Sequence, residues 1–508
     1  MVGTVVIFTC YLVILLLVGV FFFGKNDSLT DYFIGGRRLN PWVAAISAYA
    51  SDMSGWLFLG FIGAIYAFGL GQIWIAVGLV LGTIFNWVFV AGRLRRYSIT
   101  AGSAITIPEF LENRFADSSH LLRFVSSVII IIFFTIYTAS GFIACGALFS
   151  AVLGINYQIA LLVSFLIILA HTFLGGFRAV CWTNFFQGIL MLISLIGVTL
   201  IVFYIIGGFP AIGQNINPEF LNIFLDKDGQ PLHGTAIVSG LAWGLGYFGM
   251  PHILVRFMAL KNEHSIIPAA IIGGLASIIS LGFAAFMGIA GLVLNPGFDR
   301  PESIFIRTIQ SVFIGPDSLL SMSVPGGIFL CGIFAAIMST ADSHLLVTAS
   351  SITNDLYEGI IRREKSDRHF LWFSRFSVLL ISVLAYIIAV NRNFSVMALV
   401  SNAWSGLGSC FGALVLLSLY WRRINRPGAI AGILSGGFVV ILWDYIICVP
   451  CSGGALSTFS LTTGIYSLAP GFCVSFVSII VVSLFTRKPS REILDQFEQA
   501  AAKPFYEE

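Results

Sequence analysis

The chain has 508 residues, 58% hydrophobic and only 10% charged, with a formal net charge of +3. An ordinary soluble domain carries about 25% charged residues, so a water-soluble globule is excluded and the lipid bilayer is the medium that fits. A net charge this small calls for no nucleic-acid partner.

Thirteen apolar segments are long enough to span a bilayer. They run near 4–23, 41–67, 69–92, 124–153, 156–176, 184–208, 235–258, 266–294, 324–354, 369–391, 395–421, 428–448 and 463–486. Backbone groups in lipid must pair within their own segment, so each is predicted as a helix and the fold as all-α. The first segment has no basic run before it and no small-residue cleavage site after it, and is expected to be retained. Residues 1–487 form one membrane domain, and 488–508 a polar tail. With the N-terminus outside and alternating spans, twenty-three of the twenty-seven Lys and Arg fall inside, and only Lys227, Arg300, Arg307 and Arg392 fall outside. The positive-inside rule therefore puts the C-terminus in the cytoplasm.

Two segments are interrupted at mid-depth. The second reads Ala50-Ser51-Asp52-Met53-Ser54-Gly55-Trp56, and the seventh Trp243-Gly244-Leu245-Gly246-Tyr247-Phe248-Gly249-Met250-Pro251. They lie five segments apart, and a matched pair of broken helices points to an inverted-repeat transporter. Asp52 is costly at a helix centre and is expected to face a cavity, a partner or the break. On the ninth segment Ala336, Ser339 and Thr340 share one helix face. A carbonyl and two hydroxyls suit a hard cation such as Na⁺, and carbonyls freed near Ala50 and Met53 would complete its shell. The same hydroxyls also have an ordinary use, bonding their own i−4 carbonyls. Trp243, Tyr247 and Pro251 recur every four residues, so a regular helix would align them as a pocket wall or a packing stripe.

Other signals carry less. Gly19 to Lys25 approaches a P-loop, but Asn26 stands where Ser or Thr is required, which argues against an ATP-driven pump. There is no H-E-x-x-H, and His171, His252 and His344 have no metal-ligand spacing. Gly78 and Gly82 form a GxxxG, read as helix packing. Cys448 and Cys451 form a CVPC run compatible with no role, a local disulfide or a metal site. A channel lacks a filter-like repeat here, a sensor receptor would add a signalling domain, and an enzyme would need a catalytic cluster.

The residues together resemble the solute:sodium symporter family, closest to its bacterial sodium/proline branch. The resemblance rests on Asp31-Tyr32-Phe33-Ile34-Gly35-Gly36-Arg37, on Ala50 to Leu57, and on Phe134-Thr135-Ile136-Tyr137 with Ala139-Ser140-Gly141. It is strongest from Trp243 to Gly249 with Pro251-His252-Ile253-Leu254, and continues in Met338-Ser339-Thr340 and Asp355-Leu356-Tyr357. It implies a leucine-transporter-type core of five plus five inverted helices, about residues 41–421, with one helix before and two after. It implies a Na⁺ site from the carbonyls of Ala50, Met53 and Ala336 and the hydroxyls of Ser339 and Thr340. It implies a coupling role for Asp52, an inner-mouth role for Arg37, and L-proline contacts from Ser54, Gly55, Tyr137, Trp243, Tyr247 and Pro251. The implied location is a bacterial inner (plasma) membrane. Asp342 departs from the proline branch, which has a neutral residue there. It would add a cation or proton site or bond a neighbour.

Overall fold

A computed structural model of the chain describes residues 2–23, 29–314, 318–359, 367–391, 394–446 and 465–501. Among these the structure is helical, with two isolated bridges, Leu39 to Leu260 and Leu225 to Pro231. The elements used below are α1 (Val2–Phe23), α2 (Pro41–Asp52), α3 (Trp56–Phe68), α4 (Leu70–Thr100), α5 (Leu121–Leu153) and α6 (Tyr157–Ile205). They continue with α7 (Gly234–Gly249), α8 (Pro251–Met258), α9 (Ile266–Leu294), α10 (Ile304–Phe313), α11 (Ser323–Tyr357) and α12 (Asp367–Ala389). The last are α13 (Val396–Tyr420), α14 (Arg426–Asp444), α15 (Leu468–Phe485) and α16 (Arg491–Ala501).

Among the described residues, ten helices are long and apolar enough to cross a membrane, or twelve when each bent pair counts as one span. The bent pairs are α2 with α3, at 53°, and α7 with α8, at 47°. Both are the interruptions expected from the sequence. α6 runs for 49 residues, about 74 Å of helix and more than twice the hydrocarbon thickness. Its one non-helical residue is Gly176, at φ 74 and ψ 178. Only glycine takes that conformation without strain, so one residue breaks what the sequence suggested as two segments with a seven-residue gap. The CVPC cysteines lie outside the described residues.

α11 sits at the centre, packed against α6, α5 and α1. α1, α14 and α15 lie outside it and expose apolar side chains such as Ile14, Leu17, Phe438, Val477 and Phe485. An exposed apolar belt of this kind marks a lipid-facing surface. The glycines of the GxxxG pack within the chain. A methyl on Gly78 would lie 2.5 Å from the Gly240 carbonyl oxygen, and one on Gly82 2.3 Å from that of Gly244. α4 thus meets α7 backbone to backbone. The tail was expected to be merely polar, yet α16 is an amphipathic helix whose Phe497 is buried beside Tyr97 and Arg114.

Candidate functional site: the two helix breaks and the Arg37 staple

Asn40 starts α2 by accepting a bond from Val43 N at 2.8 Å, with Pro41 supplying the fixed φ of a first helical residue. The helix ends at Met53, whose N–H bonds Tyr49 O at 2.9 Å. Ser54 N then bonds Asp52 O at 2.8 Å, and Trp56 Nε1 reaches the same carbonyl at 3.1 Å. The turn leaves carbonyls of α2 facing α11. Ser339 Oγ lies 2.7 Å from Ala50 O and 3.0 Å from Ala336 O. Thr340 Oγ1 lies 2.9 Å from Ser51 O and 3.2 Å from Ala336 O. The hydroxyls therefore bridge to α2 as well as to their own helix. These buried oxygens sit within hydrogen-bond distance of one another and carry no formal charge. Met53 stands at the break itself. The Ser51 carbonyl is a participant that the sequence did not single out.

Asp52 points away from this cluster. Its Oδ2 accepts a bond from the Tyr247 hydroxyl, while Oδ1 is buried without a hydrogen-bond partner. A small cavity beside it is lined by Tyr49, Thr83, Asn86, Ser277 and Tyr247. A second small cavity brings together Ser54, Gly55, Tyr137, Ser140 and Thr340. Ser54, Gly55 and Tyr137 were singled out through the family resemblance and Thr340 through the hydroxyl face of α11, and the structure gathers the four around one space.

α7 ends in a tight 3₁₀ run, Trp243–Gly249, before Pro251 opens α8. At three residues per turn, a four-residue step rotates by about 120°, so Trp243, Tyr247 and Pro251 do not share a face. Trp243 lines a vestibule of about 620 Å³, with Ser401, Glu302 and Tyr466 also in its wall. Tyr247 turns toward Asp52. Pro251 lines none of the described cavities and serves as the first residue of α8. The Trp243 ring stacks on Tyr466 at 5.0 Å, and its carbonyl accepts Trp404 Nε1 at 2.9 Å. Tyr466 and Trp404 were not foreseen, because nothing local links them to Trp243.

Asp342 is fully buried. It accepts a bond from the Thr172 hydroxyl, and its Oδ2 lies 2.8 Å from His171 Nδ1. A bond to neighbours, one of the readings open from sequence, is present. Asn184 donates to Ser339 O at 3.1 Å and to Ser343 Oγ at 3.0 Å. It was signalled only as one more polar side chain at membrane depth.

The opposite face from the vestibule is sealed. Gly35, Gly36 and Arg37 all take left-handed φ values, 63, 63 and 54. Such a run, with a non-glycine in it, persists only where its surroundings hold it. Here Arg37 donates to Met258 O at 2.8 Å, Ala104 O at 2.7 Å and Ser98 Oγ at 3.0 Å. Leu39 pairs with Ala259 and Lys261 through backbone bonds. Nearby, Arg123 lies 2.8 Å from Glu112 and 3.2 Å from Asp355. Arg37→Gln should loosen this staple. Cys181 is buried next to Val180, which lines the cavity behind it. Its maleimide labelling, read by mass spectrometry, should speed up about tenfold, because labelling of a buried thiol tracks the opened population. An unchanged rate would show that Arg37 does not hold the face shut.

The model of the sodium:solute symporter family matches residues 32–436. The chain belongs to the sodium:solute symporter family. The high-affinity proline transporter PutP of Bacillus subtilis (strain 168) is 41% identical over 486 residues, covering 95% of this chain and 98% of the relative. The osmoregulated proline transporter OpuE of the same strain is 40% identical over 484 residues, covering 95% and 94%. A sodium/proline symporter of Staphylococcus aureus (strain JH9) is 39% identical over 499 residues, covering 96% and 93%. Among solved structures, a substrate-bound outward-open Na⁺-coupled sialic acid symporter superposes with a TM-score of 0.78 at 18% identity, covering 96% of this chain and 99% of that one. The closed form of Mhp1, a nucleobase-cation-symport transporter, gives 0.52 at 13% identity, covering 93% and 99%. The symporter is a multi-pass membrane protein with a transporter fold.

Proposed function

We propose that this symporter couples the entry of Na⁺ to the uptake of L-proline by alternating access. The observation that carries the reading is the cavity shared by Ser54, Gly55 and Tyr137 with Thr340, which adjoins the oxygen cluster of Ala50, Ala336 and Ser339. An ion bound among those oxygens holds the end of α2 against α11. That fixes the backbone at the break, where amides meet a carboxylate. The names of the relatives support proline over other small carboxylates. Each Na⁺ moving inward through 100 mV contributes about 2.3 kcal/mol, worth roughly fiftyfold in accumulation.

The reading takes thirteen spans, counting α6 as two about Gly176 and each bent pair as one. α2 to α13 form the five-plus-five inverted core, within a membrane domain of 1–487 and a tail of 488–508. The clustering of Lys and Arg supports an outer N-terminus and a cytoplasmic C-terminus in a bacterial inner membrane.

The test is uptake of labelled L-proline into proteoliposomes with and without an inward Na⁺ gradient. Gradient-dependent accumulation supports the reading, and an equal rate without Na⁺ ends the coupling claim. Accumulation of another small carboxylate without proline uptake reassigns the solute. Ser339→Ala and Thr340→Ala should each raise the half-saturating Na⁺ concentration about tenfold, since losing an oxygen ligand costs on the order of 1–2 kcal/mol. Unchanged Na⁺ dependence in both would remove them from the ion site.

A further inference from the structure

Arg256 is 1% exposed, in the last turn of α8, and no carboxylate lies within ion-pair distance of it among the described residues. Its guanidinium donates to Ser47 Oγ at 3.2 Å, to Ser343 Oγ at 2.8 Å and to the carbonyl of His252. These are neutral acceptors. The negative end of the short helix α8, on which Arg256 occupies the last turn, offsets only part of a buried charge.

Its position is fixed by its partners. Ser47 lies one turn from Ser51 along α2 toward Pro41, and Ser343 one turn beyond Ser339 on α11, with Ser343 Oγ donating to Ser339 O at 2.7 Å. Arg256 therefore sits between the oxygen cluster and the Arg37 seal. It lines a small cavity with Phe33, Ile105, Ser343 and Ser350.

Leading to it from the solute cavity is a row of polar rings, two of them histidines whose nitrogens have no partners. The Tyr137 ring, in the wall of that cavity, is 4.2 Å from the ring of His344. The His344 and His252 rings are 4.7 Å apart, and all four of their nitrogens are buried and unbonded. The His252 carbonyl then accepts from Arg256. A buried donor left unmade costs about 1–3 kcal/mol, and a run of them leading to an uncompensated cation is explained by a polar anionic visitor.

We propose that Arg256 is a release-side subsite for the carboxylate of the transported solute, reached from Tyr137 past His344 and His252. It rests on the proposed uptake of proline. The solute leaves the Ser54–Gly55 break, and its carboxylate meets the guanidinium before the Arg37 seal lets it out. A bidentate contact to Arg suits a carboxylate.

Right-side-out vesicles loaded with labelled L-proline test this, because efflux reads the release side and uptake the outer side. Arg256→Gln should raise the half-saturating internal proline for efflux about tenfold, the cost of a charged hydrogen bond. The external half-saturation should move less than about threefold, and Arg256→Lys should restore most of the internal affinity. No internal shift, or an equal shift on both sides, overturns the subsite. If Arg256→Gln fails to reach the membrane, His344→Asn must show the same one-sided shift or the proposal falls. Replacing internal chloride with methanesulfonate, which carries no carboxylate, should leave wild-type efflux unchanged. A shift there would assign Arg256 to an inorganic anion and overturn the solute subsite. Wild-type vesicles without Na⁺-driven proline uptake would end the proposed function and this subsite with it, whereas normal uptake with symmetric variants ends only the subsite.

Discussion

Gly244→Ala should leave almost no folded protein in the membrane. A Cβ on Gly244 would lie 2.2 Å from the Gly78 carbonyl oxygen and 3.0 Å from its carbon. Both are backbone atoms of a continuous helix, so no rotamer change can make room. Overpacking typically costs 1–3 kcal/mol, and a clash with backbone on both sides of a GxxxG seam should exceed about 3 kcal/mol. Gly282→Ala is the matched control, since nothing lies within 4 Å of its would-be Cβ, and alanine is the better helix former. Membrane abundance and thermal unfolding in detergent should separate the two. A Gly244→Ala protein with wild-type stability would mean that α4 and α7 are not packed as described.

Asp52→Asn should abolish Na⁺-driven proline accumulation while leaving the protein in place. The change conserves shape, and an amide oxygen can still accept from the Tyr247 hydroxyl. What disappears is a formal charge beside the break, which leaves only dipoles in the Ala50, Ser51 and Ala336 cluster. A carboxylate in the same break as a cation contributes on the order of 1–3 kcal/mol at an effective dielectric near 20, or roughly ten- to a hundredfold in Na⁺ affinity. The half-saturating Na⁺ concentration at fixed proline reads this directly. If it stays at the wild-type value, Asp52 is a structural acid serving Tyr247.

Much of the architecture was legible because membrane helices announce themselves by length and hydropathy. α9 spans the segment drawn from the sequence, and most other ends moved by a few residues. The breaks were legible for a related reason: Asp52 and the glycines around Tyr247 are expensive or permissive at mid-depth and need an explanation. The amphipathic α10, between two spans, was missed because a loop region of mixed polarity gives no membrane signal. The four-residue spacing of Trp243, Tyr247 and Pro251 misled because it assumes 3.6 residues per turn, and the chain tightens there to a 3₁₀ run. The histidines read as scattered. Only folding sets His171 against Asp342 and His252 against His344, and no local pattern records contacts about ninety or more residues apart.

The stacking around Trp243 carries a consequence for how the protein can be watched. Three indoles, Trp56, Trp243 and Trp404, lie in sequence with ring centroids 6.1 and 6.4 Å apart and planes within about 30° of parallel. Chromophores that close share their excitation, so the trio acts as one optical unit in near-ultraviolet circular dichroism. Its members come from α3, α7 and α13, the elements that wall the vestibule. A rearrangement that closes that vestibule should reorient the three transition dipoles, giving the unlabelled carrier a spectroscopic signature of its own gating.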